Sequence, residues 1–251
     1  MVRASGLVAD GGACVKAIAL ALQFMTRLPL PAVAADERDF GRAIRWFPLA
    51  GLVVGGALAC AAWLGGQRDG WAGALLGLIA WTGLTGALHL DGLGDIADAA
   101  GAAHRDRGRL SAVLADPHIG SFGVVAIVLQ LMAKLVMLRL ALEHHAVFPL
   151  LLVCMIARIA PLVWTLILPP LHQGMGTAFR AGANWWAVLA WTLLLAPVTA
   201  LTAPYLLLAL PVVPLWAWWL RSRIGGISGD GHGAGIELLE TAMLAAWGLF
   251  K

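Results

Sequence analysis

Apolar segments long enough to cross a bilayer recur along the chain, and short polar stretches separate them. A spanning helix needs about 20 mostly apolar residues. Seven segments approach that length, at about 46–64, 71–90, 121–142, 147–168, 184–202, 204–220 and 235–250. The pattern predicts an all-α fold, a polytopic transmembrane helix bundle of about seven spans, as a single integral membrane domain over residues 1–251. Gly51 with Gly55, and Gly73 with Gly77, have the small-xxx-small spacing of closely packed membrane helices.

Residues 14–34 allow two interpretations. Lys16, an apolar run and Ala32-Val33-Ala34 resemble a signal peptide with its cleavage site. Arg27 and two prolines interrupt the region before that site. We therefore expect a retained N-terminal helix that lies at the interface or is half inserted.

Composition supports the membrane assignment. Hydrophobic residues make up 61% of the chain and charged residues 12%, whereas soluble domains carry about 25% charged residues. Twelve tryptophans suit a belt at the membrane interface. The net charge of +3 does not indicate nucleic-acid binding, because most cations flank apolar spans. The three cysteines, Cys14, Cys60 and Cys154, form no disulfide framework.

The cations also predict topology. With seven spans, the N-terminus and the loops at 91–120, 171–183 and 221–234 fall on one side. That side collects Lys16, Arg27, Arg38, Arg42, Arg45, Arg105, Arg107, Arg109, Arg180, Arg221 and Arg223; the other collects Arg68, Arg139 and Lys251. The positive-inside bias places the richer side in the cytoplasm.

Three carboxylates follow the second apolar segment at i, i+4 and i+7: Asp91, Asp95 and Asp98. On a helix they lie within about 60° of one another, on one face. Their repulsion is relieved either by water at a solvated helix end or by a divalent cation. Oxygen ligands alone suit Mg²⁺, Mn²⁺ or Ca²⁺ rather than zinc.

Two cations lie inside apolar spans, Lys134 and Arg158. Each costs about 2.5–3.5 kcal/mol at the centre of a membrane helix, so each needs a partner or a cavity. One interpretation is phosphate recognition, with Arg158 as a bidentate fork and Lys134 as a point charge. The other is snorkelling, or pairing with a buried carboxylate such as Glu143 or Glu237.

A glycine-rich loop, 225–237, precedes the last span. Six glycines in eleven residues allow close backbone approach to a ligand, and a glycine-rich turn that opens a helix is a typical phosphate site. Asp230 adds a fourth carboxylate on the side of the first three. The alternative is a flexible linker. Our candidate binding residues here are Gly226, Ser228, Gly229 and Glu237, together with Arg158 from the fourth span.

Three histidines, His89, His118 and His232, lie near these loops and are either hydrogen-bonded structural residues or bases. We keep His89 as a catalytic candidate. Asp116 either caps the turn into the third span or is a ligand. Together these groups suit one chemistry, in which Mg²⁺ bridges a diphosphate and an alcohol acceptor loses its proton to a carboxylate or histidine. That chemistry is phosphotransfer at a membrane surface, with Asp91, Asp95, Asp98, His89 and Lys134 as catalytic candidates.

The chain resembles the bacterial cobalamin synthase family, the adenosylcobinamide-GDP ribazoletransferases. The resemblance covers nearly the whole chain in order, and HLDGLGDIAD is its most specific block. The segments that carry it are 24–31 (FMTRLPLP), 47–51 (FPLAG), 89–98 (HLDGLGDIAD), 116–123 (DPHIGSFG), Lys134, Arg158, 225–230 (GGISGD) and 237–238 (EL).

The resemblance implies a Mg²⁺-dependent inner-membrane enzyme with its active face in the cytoplasm. It would join adenosylcobinamide-GDP to α-ribazole, or to α-ribazole 5′-phosphate, and release GMP. Asp91, Asp95 and Asp98 would hold Mg²⁺, together with Asp230. The chain departs from the family pattern at Ala99, where glycine is usual, and at Gly231 and His232, near the start of the last helix, while Asp230 and the glycines are kept.

Two other functions compete with this one. A CDP-alcohol lipid phosphotransferase also uses aspartates at a membrane face, but its pattern requires an arginine that this chain lacks near Asp91-Gly92. A transporter could use Lys134 and Arg158 along a substrate path, but inverted repeats are missing. The bilayer is the expected surrounding, nucleic acid is not an expected partner, and a homo-oligomer is compatible with the sequence.

Overall fold

The structure, a computed structural model, describes residues 4–103, 118–144, 147–171 and 175–251. Side chains are described from residue 12 onward, apart from 102, 103 and 175. The predictions for Arg105, Arg107, Arg109 and Asp116 concern residues outside these ranges.

Helices form nearly all of the regular structure in the described ranges. Their bounds are α1 (Ala4–Met25), α2 (Glu37–Ala43), α3 (Phe47–Gly66), α4 (Gly70–Thr85), α5 (Leu88–Ala103), α6 (Ser121–Glu143), α7 (Val147–Ala157), α8 (Ala160–Ile167), α9 (Met175–Gly182), α10 (Trp185–Thr202), α11 (Val212–Arg223) and α12 (Gly229–Phe250). Two 3₁₀ helices, Ile44–Trp46 and Pro204–Ala209, precede α3 and α11.

The helices confirm a multi-pass membrane protein. Six helical segments of the described chain are long and apolar enough to cross a bilayer, and a seventh span results if α4 and α5 are counted together. The apolar part of the N-terminal helix, Gly12–Met25, is shorter than a full span. The all-helical fold and the shorter apolar stretch of the N-terminal helix therefore agree with the sequence.

The second predicted span, 71–90, is not one continuous helix. It breaks at Gly86 and Ala87, which both have positive φ (61° and 57°), and α5 leaves α4 at 82°. Gly86 has the left-handed conformation that commonly ends a helix. Hydropathy could not show this break, because apolar residues continue on both sides of it. The acidic stretch consequently lies on a helix of its own.

Two other spans also differ in detail. The last helix begins at Gly229, six residues before the predicted start, because Ser228 caps it: its hydroxyl accepts a hydrogen bond from the Gly231 amide at 3.1 Å. The fourth span breaks at Arg158 and Ile159, between α7 and α8. The sixth span, 204–220 in the sequence, changes from a 3₁₀ helix that ends at Ala209 to α11, which begins at Val212; a bend at Pro211 and Pro214 stays a prediction.

Glycines allow the spans to approach closely, as their spacing predicted. A Cβ at Gly55 would lie 2.8 Å from the Leu151 Cα on α7, and one at Gly73 would lie 2.8 Å from the Ala62 carbonyl oxygen on α3. Helix α12 packs against α5 and α6. The acidic stretch on α5 thereby lies against the first turns of α12.

Candidate active site

The acidic residues of α5 share a helix face but differ in environment. Asp91 is exposed, and Asp95 and Asp98 are half-buried. Asp98 accepts two backbone hydrogen bonds from the start of α6, from the Gly120 amide at 2.7 Å and the Gly123 amide at 3.0 Å. Asp98 therefore satisfies amide donors that α6 itself leaves free and places a negative charge at its N-terminus.

The structure brings the fourth carboxylate to this face. At Gly92 on α5, an added Cβ would lie 2.8 Å from the Cα of Asp230 and 2.9 Å from its carbonyl oxygen. Asp230 is in the first turn of α12, and the Ser228 hydroxyl donates a hydrogen bond to its carboxylate at 3.3 Å. Asp95 is within electrostatic range of Asp230, Asp91 and Asp98, all of which repel its charge.

These four carboxylates suit a hard divalent cation by the chemistry of their donors, because all are oxygens. The described part of the chain has no group of three or more ligating side chains already gathered around one point. Mg²⁺ does not need such a group, since it is usually held by one or two carboxylates, water and the substrate's phosphates. The residues present therefore fit Mg²⁺ held jointly by protein and a diphosphate.

The glycine-rich stretch divides into a turn and a helix, so it is not a flexible linker. Gly225 has φ 101°, and Gly226 packs directly beneath the Pro169 carbonyl. Ile227 pairs with the chain after α8: its amide donates to Pro169 at 2.9 Å, and its carbonyl accepts from Leu171 at 3.0 Å. The turn therefore holds the start of α12 against the end of the fourth span.

The later glycines of this stretch are helix contacts. A Cβ at Gly233 would lie 3.1 Å from the His89 Cα. Helices α5 and α12 are therefore in contact both at Gly92 and, about one turn away, at His89. Gly229 has open space around it, which leaves its backbone accessible at the helix start. Of the candidate glycines, Gly226 is thus fixed by packing and Gly229 faces open space.

The three histidines have different surroundings. His89 is buried; its Nε2 lies 3.4 Å from the Met25 sulfur, and its Nδ1 has no hydrogen-bond partner among the described residues. His232 is also buried, with its Nε2 2.9 Å from the Thr165 hydroxyl, which is a structural contact. His118 is exposed. Among them, His89 combines burial with a ring nitrogen that has no hydrogen-bond partner in the described structure.

Lys134 and Arg158 belong to a buried ion cluster. The Lys134 amine lies 2.7 Å from both Glu237 and Glu240, and the Arg158 guanidinium donates to Glu240 at 2.9 Å. Gln130 donates to the Glu237 carboxylate at 3.0 Å. We call these residues, Gln130, Lys134, Arg158, Glu237 and Glu240, the ion cluster. Its two cations and two carboxylates balance in charge.

The contacts of the ion cluster can be compared with the two interpretations of Lys134 and Arg158, phosphate recognition and pairing with a buried carboxylate. Glu237 is one of the two predicted partner acids, whereas Glu143 pairs with Arg139 nearer the surface at 2.7 Å. The Lys134 amine also lies 3.9 Å from the centre of the Trp81 ring. Arg158 keeps two nitrogens, Nε and one terminal NH₂, without a hydrogen-bond partner among the described residues. Phosphate recognition by the two cations stays a prediction.

Sequence reasoning missed Glu240. It is fully buried and joins both cations. The available signal was its spacing: Glu237 and Glu240 are i and i+3 in an apolar span, hence on one helix face. His89 is in electrostatic range of both cations, so it lies near the ion cluster.

Comparisons with known proteins point to one family. The profile of the Cobalamin-5-phosphate synthase family matches residues 17–248. A protein of Novosphingobium aromaticivorans, named adenosylcobinamide-GDP ribazoletransferase, is 56% identical over 90% of this chain and 93% of its own. Proteins with the same name from Thiobacillus denitrificans and Laribacter hongkongensis are 50% and 49% identical, over 93% and 91% of this chain and 95% of their own lengths. No solved structure matches.

Proposed function

We propose, on the premise that the chain belongs to the Cobalamin-5-phosphate synthase family and is an adenosylcobinamide-GDP ribazoletransferase, that catalysis takes place where α5 crosses the start of α12. The observation that carries this proposal is the contact between Gly92 and Asp230. It brings two acidic stretches, far apart in sequence, to one place. The diphosphate of adenosylcobinamide-GDP is the part of the substrate that such a place suits.

In the proposed reaction, a hydroxyl of α-ribazole, or of α-ribazole 5′-phosphate, attacks the phosphorus next to cobinamide. A new P–O bond forms to the ribazole oxygen, and the bond from that phosphorus to the bridging oxygen breaks. GMP leaves with the bridging oxygen, and the hydroxyl proton passes to a base. The products are adenosylcobalamin, or its 5′-phosphate, and GMP.

We assign Mg²⁺ to Asp91, Asp95 and Asp230. When bound, it supplies charge neutralisation for the diphosphate and for the leaving phosphate. Asp98 was also predicted as a ligand, but both of its oxygens accept amides of α6. We therefore assign Asp98 the task of orienting α5. The base is either a carboxylate not used for the metal or His89.

The remaining candidates act on the placement of α12. Ser228 caps its start and contacts Asp230. Gly226 allows the turn before it, and Gly229 leaves space at its first amide. Lys134, Arg158 and Glu237 hold its middle. Because the ion cluster already satisfies the Lys134 amine, we propose these three as positioning residues for Asp230.

The test is GMP release by purified protein in nanodiscs, given adenosylcobinamide-GDP and α-ribazole. We expect turnover with Mg²⁺, none after EDTA, and recovery when Mg²⁺ is restored. Asp91→Asn and Asp95→Asn should each abolish turnover while the proteins still insert and purify as single species. Unchanged turnover in both variants would refute the metal assignment.

We also propose that this site faces the cytoplasm from the inner membrane, supported by the excess of cations on that side. Inverted membrane vesicles should then form GMP from externally added substrates, and right-side-out vesicles should do so only after permeabilisation. The opposite result would reverse the assigned sidedness.

A further inference from the structure

A cleft with one cationic end lies away from the acidic face, between the N-terminal helix and the start of α10. Its volume is about 660 Å³, within the usual range for a ligand site. The residues that carry the argument are Arg42, Arg45, Asn184, Trp186, Ala187 and Ala190. None of them touches the proposed catalytic site in the described structure.

One end of this cleft is cationic. Arg42 is exposed and lies within electrostatic range of the half-buried Arg45, so the two like charges repel. The described residues that line the cleft include no acid. The nearest acid on the same helix, Asp39, forms an ion pair with Lys16 of α1 and also interacts with Arg42. An anion with more than one oxygen would relieve the repulsion between the two guanidinium groups.

Contacts in the backbone fix Arg45 in this position. Its guanidinium donates to the Gly182 carbonyl, and its own carbonyl accepts from the Trp191 indole at 2.7 Å. The Trp46 and Trp191 rings meet edge to face at 6.3 Å. The cationic end is therefore built on packed aromatic residues rather than on mobile side chains.

The other end of the cleft is apolar and follows a membrane span. Ala187, Ala190 and Leu194 lie at i, i+3 and i+7 on one face of α10 and line it. Asn184 caps α10 by accepting from the Ala187 amide at 2.8 Å. Trp186, in the first turn, is 78% exposed. An exposed tryptophan at the start of a span is typical of the level of the lipid headgroups.

We propose that this cleft binds an anionic phospholipid, with the headgroup phosphate at Arg42 and Arg45 and an acyl chain along the small residues of α10. Basic pockets between membrane helices are known to suit such headgroups. A soluble phosphate would satisfy the arginines but not the apolar end. The occupant therefore combines an anionic head with a hydrocarbon tail.

The experiment measures quenching of tryptophan fluorescence by brominated lipids in nanodiscs made with phosphatidylcholine. A small fraction of brominated phosphatidylglycerol, or of brominated phosphatidylcholine as the comparison, is added. We expect stronger quenching by the anionic lipid, and expect Trp186→Phe to remove much of the difference. Arg42→Gln should weaken the preference by about fivefold, the contribution of one basic residue near an anionic surface.

The matched control is Arg38→Gln. Arg38 is exposed on the same helix, one turn earlier, and does not line the cleft. Arg38→Gln removes the same charge as Arg42→Gln and should leave the preference for the anionic lipid unchanged. Both variants should keep the thermal midpoint of the wild type. Equal quenching by the two lipids, an equal loss in Arg38→Gln, or displacement of the lipid by inorganic phosphate would overturn the proposal.

Discussion

At the scale of single residues, the three aspartates of α5 show what spacing does and does not determine. The i, i+4, i+7 pattern correctly predicts one helix face. It treats Asp91, Asp95 and Asp98 as equivalent, whereas in the part of the chain that the structure describes Asp98 alone accepts two amides from the start of another helix. That difference depends on where α6 begins in space, which no pattern within α5 contains.

This difference leads to a prediction for Asp98→Asn. The amide keeps one oxygen acceptor, loses the charge at the α6 N-terminus and turns an NH₂ group towards a backbone donor. We expect a loss of about 0.5–2 kcal/mol in stability, the usual range for a helix cap, and a lower thermal midpoint in detergent. GMP release should fall in parallel with the folded fraction.

Asp91→Asn is the matched comparison, because Asp91 is on the same helix but exposed. It should abolish turnover without lowering the thermal midpoint. If Asp91→Asn were the less stable of the two variants, the assignment of capping to Asp98 and of ligation to Asp91 would be wrong.

At the scale of helices, hydropathy predicted the spans well, because every backbone group in a bilayer must be paired within a helix. The observed third span, Ser121–Glu143, is one residue longer than predicted, and the fifth, Trp185–Thr202, one residue shorter. The predicted helix boundaries were wrong where a single residue determines where a helix begins or ends. Gly86 and Ala87 end α4 through their backbone conformation, and Ser228 begins α12 through its hydroxyl.

The crossing of α5 and α12 supplies the prediction at this scale. In Gly92→Ala, the new methyl group would contact the Asp230 backbone at 2.8–2.9 Å, so the two helices must move apart. Overpacking of this kind costs about 1–3 kcal/mol. We expect a lower thermal midpoint and a loss of GMP release larger than the loss of folded protein, because the separation moves Asp230 away from Asp95.

Gly83→Ala provides the control. Gly83 is inside α4, and a Cβ there would meet nothing within 4 Å. This variant should be neutral or slightly stabilising, since alanine favours a helix by about 1 kcal/mol over glycine. Gly92→Ala with normal turnover would show that the helix contact does not set the position of Asp230.

At the scale of the whole molecule, the ion cluster joins three spans through α6, the break between α7 and α8, and α12. The sequence predicted that Lys134 and Arg158 need partners, because an unpaired charge in a membrane span is costly in any fold. It did not identify Glu240, because the choice of partner depends on how the helices are rotated about their axes. The cluster thus fixes the rotation and depth of α12, whose first turn carries Asp230.

The cluster predicts a specific pattern among three variants. Lys134→Met leaves the buried Glu237 carboxylate with a hydrogen bond from Gln130, which also donates to Thr241. Breaking a buried ion pair in this way costs about 3–5 kcal/mol of stability. Lys134→Met with Glu237→Gln removes both charges and keeps the contact between Arg158 and Glu240, so much of the stability should return. Arg139→Gln, which breaks the half-exposed pair with Glu143, should cost at most about 0.5 kcal/mol.

Thermal midpoints in detergent measure the stability of the three variants, and GMP release separates two roles for Lys134. If Lys134 only positions α12, the double variant recovers turnover together with stability. Recovery of stability without turnover would instead place the Lys134 amine on the substrate's phosphates.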